Sequence, residues 1–341
     1  MPRRRAFDAA LAVVVLALGG VVWLLASPAA TGGGARGGWR GPVPAGLPMP
    51  KVPAGEPMTA ARIEVGRRLF YDAGLSANGT QSCASCHIQA LAFTDGRRQA
   101  IGSTNEISAR NTPSLVNVSL ARTLTWSGPG LTALDEQLRT PLFGTHPVEM
   151  GLTTPGARRR ALARIARDRS YVRALRRAFP EVRPAVRWSS VVAAIVAFER
   201  SIVSARSRYD RVRAGQATFS AAERRGRALF DGSAGCAACH GGPTFSDHLA
   251  GVGVDDSAPA PFHDVGTGGR FRAPSLRNVE LTAPYLHDGS VGFLADALAH
   301  ALPPTAPERD RTDLAAFLRT LTDRAVLTDR RFSRPPRPAG R

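Results

Sequence analysis

The sequence predicts a mainly α-helical protein made of two similar halves joined by a helical connecting segment. Two observations carry that expectation: an internal repeat, and apolar residues recurring at helical spacing between its copies. Gly66-Arg67-Arg68-Leu69-Phe70-Tyr71-Asp72 in the first half corresponds to Gly226-Arg227-Ala228-Leu229-Phe230-Asp231-Gly232 in the second. Farther on, Pro113-Ser114-Leu115-Val116-Asn117 corresponds to Pro274-Ser275-Leu276-Arg277-Asn278. The copies then keep step, so that Trp126-Ser127-Gly128 falls opposite His287-Asp288-Gly289. Each Gly-Arg-x-Leu-Phe string reads as the end of a helix that turns its Leu-Phe edge towards a buried group. Between the copies, Leu162, Ile165, Val172, Leu175 and Phe179 recur with helical period. So do Val192, Ile195, Val196 and Ile202, after Ser190, which reads as an N-cap.

In chain order, residues 1–30 read as a signal peptide or an N-terminal membrane anchor. Arg3, Arg4 and Arg5 precede an apolar run over 9–26, and Ser27-Pro28-Ala29-Ala30 offers small residues for cleavage. The run is long for a signal and just long enough to span a bilayer, so both readings stay open. Residues 31–57 form a Gly/Pro-rich linker without apolar period. The two halves follow as residues 58–205 and 206–341, in a chain whose 341 residues are 43% apolar, enough for two cores.

An exported chain with four cysteines would ordinarily suggest two disulfides. Here all four fall into Cys83-Ala84-Ser85-Cys86-His87 and Cys236-Ala237-Ala238-Cys239-His240. In a c-type attachment site the two thiols bond to the haem vinyl groups, and the next His becomes the proximal iron ligand. A Cys₄ zinc site has no need of a His after both pairs. A thioredoxin-like pair would follow a strand, and no β pattern precedes either motif. Two covalent haem c groups are therefore expected, one on Cys83, Cys86 and His87, the other on Cys236, Cys239 and His240. The halves then read as two tandem cytochrome-c-like haem domains facing the periplasm. The charge fits this reading: 45 Lys+Arg against 27 Asp+Glu give +18, with Lys51 the only lysine. The arginines are spread along the whole chain with few aromatics between them, so no nucleic-acid partner is expected. They read mainly as a compositional habit, helped by the need to balance acidic haem propionates; the functional reading is a docking surface for an acidic protein.

With these landmarks, residues 56–333 resemble the bacterial di-haem cytochrome c peroxidase and MauG superfamily. Several strings are similar to its MbnH-type members, which accompany a small copper-binding partner protein. These are Ala90-Leu91-Ala92-Phe93-Thr94-Asp95-Gly96, Leu124-Thr125-Trp126, Pro141-Leu142-Phe143-Gly144 and Pro147-Val148-Glu149-Met150-Gly151, with Leu321-Thr322-Asp323 and Arg331-Phe332-Ser333 near the end. The resemblance implies that the N-terminal haem is the peroxide site and that Glu149 assists there. Splitting a peroxide requires a group that moves a proton between its oxygens, and an apolar neighbourhood raises a carboxyl pKa towards that task. A lone Glu at a helix start is otherwise a surface carboxylate. Trp126 matches the family tryptophan between the haems, able to relay an electron hole, although a Trp is more often a core aromatic. Asn111 matches a position that helps to bind a calcium ion between the domains. Where many members carry a removable His on the peroxidatic iron, Ala100-Ile101-Gly102-Ser103-Thr104-Asn105 holds none. His146, close to Glu149, reads as a turn residue before Pro147. The peroxidatic iron is thus expected to be open at rest.

The chain departs from the family pattern at the second haem. Counting beyond Tyr285-Leu286-His287-Asp288-Gly289, the place of the usual Met or Tyr sixth ligand is taken by Ala301, and neither residue type follows Tyr285. His300, on a helix expected over 294–302, is the favoured substitute, although one residue turns a side chain by about 100°. A five-coordinate or water-bound iron is the alternative. His248, His263 and His287 read as hydrogen-bonding or surface residues. The resemblance implies a peroxide-dependent enzyme that oxidises a residue, a Trp, of a periplasmic partner protein through a high-valent di-haem intermediate. Its alternative is a conventional peroxidase that reduces hydrogen peroxide with electrons from a small cytochrome or cupredoxin. Outside catalysis stands a di-haem electron carrier, against which Glu149 and the missing His argue.

Overall fold

A glycine at the same point of each half lets two helices meet backbone to backbone. The computed structural model describes residues 46–50, 52–128, 130–246, 263–264 and 269–336, which form helices and loops with one two-residue hairpin. In the first half, α1 (Ala60–Phe70) starts at Thr59, whose side chain accepts from the Arg62 N–H. It is followed by α2 (Leu134–Phe143), α3 (Pro155–Arg167), α4 (Arg169–Ala178) and α5 (Trp188–Ser201). The second half contains α6 (Arg208–Arg213), α7 (Ala221–Asp231), α8 (Leu294–Ala301) and α9 (Glu308–Arg319). The hairpin pairs β1 (His263–Asp264) with β2 (Arg270–Phe271). Helix α1 lies so close to α5 that a Cβ at Gly66 would sit 1.8 Å from the Ala194 carbonyl oxygen. Helix α7 meets α9 in the same way, and a Cβ at Gly226 would sit 1.9 Å from the Asp313 carbonyl oxygen. The repeated glycine is therefore a packing requirement, the same in both halves.

Some local expectations are corrected. The apolar period over 162–179 is two helices, not one. Asp168 closes α3 and caps α4, its carboxylate accepting from the N–H groups of Ser170 and Tyr171. Ser190 is not a cap: α5 begins two residues earlier at Trp188, after Arg187, and Ser190 is buried inside its first turn. The start of α5 is set by an aromatic contact instead, Trp188 meeting Phe143 edge-on with centroids 5.0 Å apart. The two Leu-Phe edges also diverge. Phe70 packs against Phe93 and Phe198, whereas Phe230 lines a cavity.

Two apolar cores result. The first gathers Leu69, Phe70, Leu175, Ile195 and Phe198; the second gathers Tyr209, Phe230, Phe245, Phe317 and Leu318. Each such side chain contributes about 1.5–3 kcal/mol when fully buried. The chain end returns to the first core. Phe332 packs against Phe93, Tyr71 Oη donates to the Phe332 carbonyl at 2.7 Å, and Gln89 Nε2 donates to the Val326 and Asp329 carbonyls.

The repeated Asn residues of the two Pro-Ser-Leu-x-Asn strings meet at Ser204, where Asn278 reaches across to the first half. Asn117 and Asn278 both adopt left-handed backbone, φ 60° and 62°. The Asn117 amide brackets Ser204, accepting its N–H at 2.9 Å and donating to its carbonyl at 3.0 Å. The Asn278 amide accepts the Asp323 N–H at 2.8 Å and donates to Ser204 Oγ, which in turn donates to the Asp323 carboxylate. Residues 1–30, 31–45 of the linker, and His248 lie outside the described residues. Among the described residues, no helix is long and apolar enough to cross a membrane.

Because the clash at Gly66 and Gly226 is with backbone, no rotamer change relieves it. Gly66→Ala and Gly226→Ala should each cost about 1–3 kcal/mol of stability, read as a lower thermal unfolding midpoint. Unchanged midpoints would show that the helices can move apart without cost.

Candidate active site

Each half encloses a cavity beside its Cys-x-x-Cys-His motif. The first, of about 450 Å³, is lined by Cys83, Cys86, His87 and Glu149; the second, of about 290 Å³, by Cys236, His240, Tyr285 and Ala301. Both are near the size range of cofactor clefts, ~300–1,000 Å³. Cys83–Cys86 forms a single helical turn, held at its start by the Ser82 N–H donating to Ser85 Oγ at 3.0 Å. The second motif opens as a tight turn after Gly235, whose φ of 69° suits glycine.

Past each motif the chain doubles back through a phenylalanine with positive φ, Phe93 at 62° and Phe245 at 54°. This aims carbonyls at the motif histidines. His87 Nδ1 lies 2.9 Å from the Phe93 carbonyl, and His240 Nδ1 lies 3.0 Å from the Pro274 carbonyl and 3.3 Å from that of Phe245. A carbonyl can only accept, so Nδ1 carries the proton and Nε2 keeps its lone pair, the tautomer an axial iron ligand needs. Burial lowers the His87 pKa and so favours the neutral ring. Burial also pushes the Cys86 thiol up to about 11 and raises Cys83 and Cys236. Cys83, Cys86 and His87 in the first cavity, Cys236 and His240 in the second with Cys239 beside them in the motif, and a largely apolar wall in each fit haem c.

Glu149 lies in the wall of the first cavity, where burial lifts its pKa to about 6. The loop that lacks a His contributes Ala100, Ile101 and Gly102 to the same wall. It is clamped against Glu149: the Ser103 N–H donates to the Glu149 carbonyl at 2.7 Å, and a Cβ at Gly102 would sit 1.9 Å from the Val148 carbonyl. His146 also touches this cavity, but its side chain is 90% exposed and lies 3.7 Å from Glu106, as a turn residue would.

Trp126, Asn111 and Arg272 line both cavities and form the wall between them. Trp126 Nε1 donates to the Asn111 carbonyl at 2.8 Å, and Asn111 Nδ2 donates to the Arg97 carbonyl at 2.8 Å. The wall is reciprocal. The Asn111 N–H donates to the His287 carbonyl at 2.8 Å, and the Arg272 N–H donates to the Trp126 carbonyl at 2.9 Å. Among the described residues, no three His, Cys, Asp or Glu side chains converge as they would on a metal ion.

In the second cavity, α8 presents Leu294, Ala297, Leu298 and Ala301, one apolar stripe at helical spacing. Ala301 therefore stands at the cavity wall, as the count along the sequence expects. His300 belongs to the same helix, and its side chain lies outside what the structure describes. His287 is buried, stacked on Phe271 at 3.6 Å with Nδ1 3.0 Å from Arg110, a hydrogen-bonding role. His263 Nδ1 lies 3.7 Å from Cys239 Sγ.

Two residues of these cavities escape sequence reasoning. Glu199 of α5 is 4% exposed, lines the first cavity and is pushed up to about 8 by burial. Its signal is a charged pair, Glu199-Arg200, inside an otherwise apolar helix. Arg272 is signalled by the repeat, where it falls opposite Asn111.

Known proteins match along most of the chain. A profile of the di-haem cytochrome c peroxidase family matches residues 60–218. The methylamine utilization protein MauG of Methylorubrum extorquens is 33% identical over 300 residues, covering 82% of each chain. The cytochrome c551 peroxidase of Pseudomonas aeruginosa is 31% identical, covering 79% of this chain and 80% of its own. Among solved structures, a MauG-like protein associated with microbial copper homeostasis superposes with a TM-score of 0.83 at 37% identity, covering 87% of this chain and 99% of that one. The diheme peroxidase BthA from Burkholderia thailandensis gives 0.62 at 26% identity, with 82% and 91% covered. On these similarities the chain belongs to the di-haem cytochrome c peroxidase and MauG family of oxidoreductases, which carry two haem c groups in two cytochrome c-like domains.

Proposed function

We propose that this protein uses hydrogen peroxide to oxidise a residue of a periplasmic partner protein, with residues 58–205 as the peroxidatic domain and 206–341 as the electron-transfer domain. The observation that carries the reading is the wall of the first cavity: Glu149 faces it, while the adjoining loop supplies Ala100, Ile101 and Gly102 and no imidazole. In this reading His87 and His240 hold the irons, and Cys83, Cys86, Cys236 and Cys239 carry the covalent links. The bound haems supply the redox chemistry, taking oxidising power from peroxide. Overall, one hydrogen peroxide takes up two electrons and two protons and leaves as two waters, the electrons coming from the partner residue.

The chain's own residues do the rest. Glu149, ionised above about 6, takes a proton from the incoming peroxide and returns it to the departing oxygen. Trp126 offers an oxidisable indole in the wall common to both cavities, and its N–H on the Asn111 carbonyl holds the ring in place. Similarity to a MauG-like protein associated with microbial copper homeostasis supports a copper-linked partner; a small copper-binding protein with a Trp as the oxidised residue is the form of that reading put to test. Similarity to the P. aeruginosa cytochrome c551 peroxidase supports the second reading, peroxide reduction with electrons from a small cytochrome or cupredoxin.

The two readings separate in one experiment. Holoprotein, peroxide and a small periplasmic copper-binding protein should give a peroxide-dependent mass change on the partner, while a reduced cytochrome or cupredoxin is oxidised slowly. An unmodified partner with rapid cytochrome oxidation would select the conventional peroxidase. Glu149→Gln should keep both haems and slow the stopped-flow reaction with peroxide by about a hundredfold or more. In the wild type that rate should rise with pH through about 6, as the carboxylate forms, and the limb should be missing in the variant. Wild-type traces from the variant would remove Glu149 from the reaction. At the second haem we propose His300 as the sixth ligand, Ala301 at the cavity wall having no donor, with a five-coordinate or water-bound iron as the alternative. A low-spin EPR signal should then disappear in His300→Ala; its survival would assign the ligand elsewhere.

A further inference from the structure

The wall between the two cavities contains a half-buried guanidinium that, among the described residues, no acid neutralises. Arg272 lines both cavities. Its Nη1 donates to the Thr123 carbonyl at 2.8 Å, while its Nε is buried without a partner. Among the described residues no carboxylate pairs with it, and burial alone pushes its pKa down to about 10. Other buried guanidinium groups are treated differently. Arg277 meets Asp210 at 2.9 Å, Arg200 meets Glu56 at 2.6 Å, and Arg62 meets Glu181 at 2.8 Å. A charge taken out of water is costly unless a counter-charge and hydrogen bonds accompany it. The guanidinium also stands 5.6 Å over the Trp126 ring, where an unneutralised cation opposes loss of an electron from the indole.

We propose that Arg272 is an anion-binding residue shared by the two cavities, receiving haem propionate carboxylates and so balancing its charge beside Trp126. The chemistry of the ligand fits. Haem c is tethered through its vinyl groups, leaving two carboxylates free, and a planar guanidinium matches a carboxylate with two parallel N–H donors. The repeat fits as well. The position opposite Arg272 is Asn111, whose side-chain N–H is already engaged by the Arg97 carbonyl, so one cation in the wall serves both sides. This inference rests on haem in both cavities, and not on the oxidation of a partner.

The test is a spectroelectrochemical titration of holoprotein carrying Arg272→Gln or Arg272→Lys, with haem loading read from absorbance. Removing a positive charge disfavours the reduced iron. In Arg272→Gln, the reduction equilibrium constants of both haems should fall about tenfold or more, 59 mV for each one-electron couple. Arg272→Lys, which keeps the charge, should recover most of that fall. Wild-type potentials in fully loaded Arg272→Gln would overturn the proposal. So would a shift at one haem only, or one that Arg272→Lys does not recover. Should Arg272→Gln fail to yield holoprotein, resonance Raman spectra of Arg272→Lys decide: the propionate-bending bands should move from their wild-type positions, and identical bands would overturn it. Neither measurement involves peroxide or a partner protein, so failure of the oxidase reading leaves this test intact.

Discussion

Two reciprocal backbone hydrogen bonds organise the active region. The Asn111 N–H donates to the His287 carbonyl, and the Arg272 N–H donates to the Trp126 carbonyl. In the repeat, Asn111 stands opposite Arg272 and Trp126 opposite His287, so each half offers the same donor and the same acceptor to the other. This is the isologous logic of a two-fold dimer, realised within one chain. It brings the segment following each haem motif into a common wall. Trp126 and Arg272 can therefore belong to both cavities at once.

The same symmetry shows how the halves came to differ without losing register. Backbone roles are duplicated: the carbonyls that meet Nδ1 of His87 and His240, the glycines at 66 and 226, the left-handed asparagines at 117 and 278. Side chains at matching places are not. An indole faces an imidazole across the repeat, and a neutral amide faces a guanidinium. On the first side lies a cavity with ionisable Glu149 and Glu199. On the second lies an apolar stripe from α8. A fold built twice thus supplies two environments that no single copy could hold together.

How much of this is legible in the sequence depends on how local the physics is. The haem motifs are short and chemically specific, and both cavities form beside them. The repeat shows that Gly66 and Gly226 correspond, but only the helix crossing shows why a Cβ is forbidden there. Ser190 misleads because Trp188 finds Phe143, a contact 45 residues away in sequence that outweighs a hydroxyl cap. Asp168 breaks an apolar period that runs through it unaltered, because a cap is made by one side chain and leaves no periodic trace. Arg272 and Glu199 are ordinary in composition, and become unusual only in the fold, where Arg272 Nε and one Glu199 carboxyl oxygen are buried without a hydrogen-bond partner.

Burial also settles which carboxyl of the first cavity can accept a proton. Glu149 and Glu199 are both raised by desolvation, to about 6 and about 8. Near neutral pH Glu149 is thus on the ionised side of its titration and Glu199 on the protonated side. Arg200, beside Glu199 in sequence and itself paired with Glu56 at 2.6 Å, lowers that pKa, but burial outweighs it. The protonated acid has a hydrogen to donate and no free charge, whereas Glu149 has a charge and a lone pair. Two carboxyls of the same chemistry are thereby driven to opposite roles by their surroundings. Of the two, Glu149 is the one that starts with a free lone pair for the proton of an incoming peroxide.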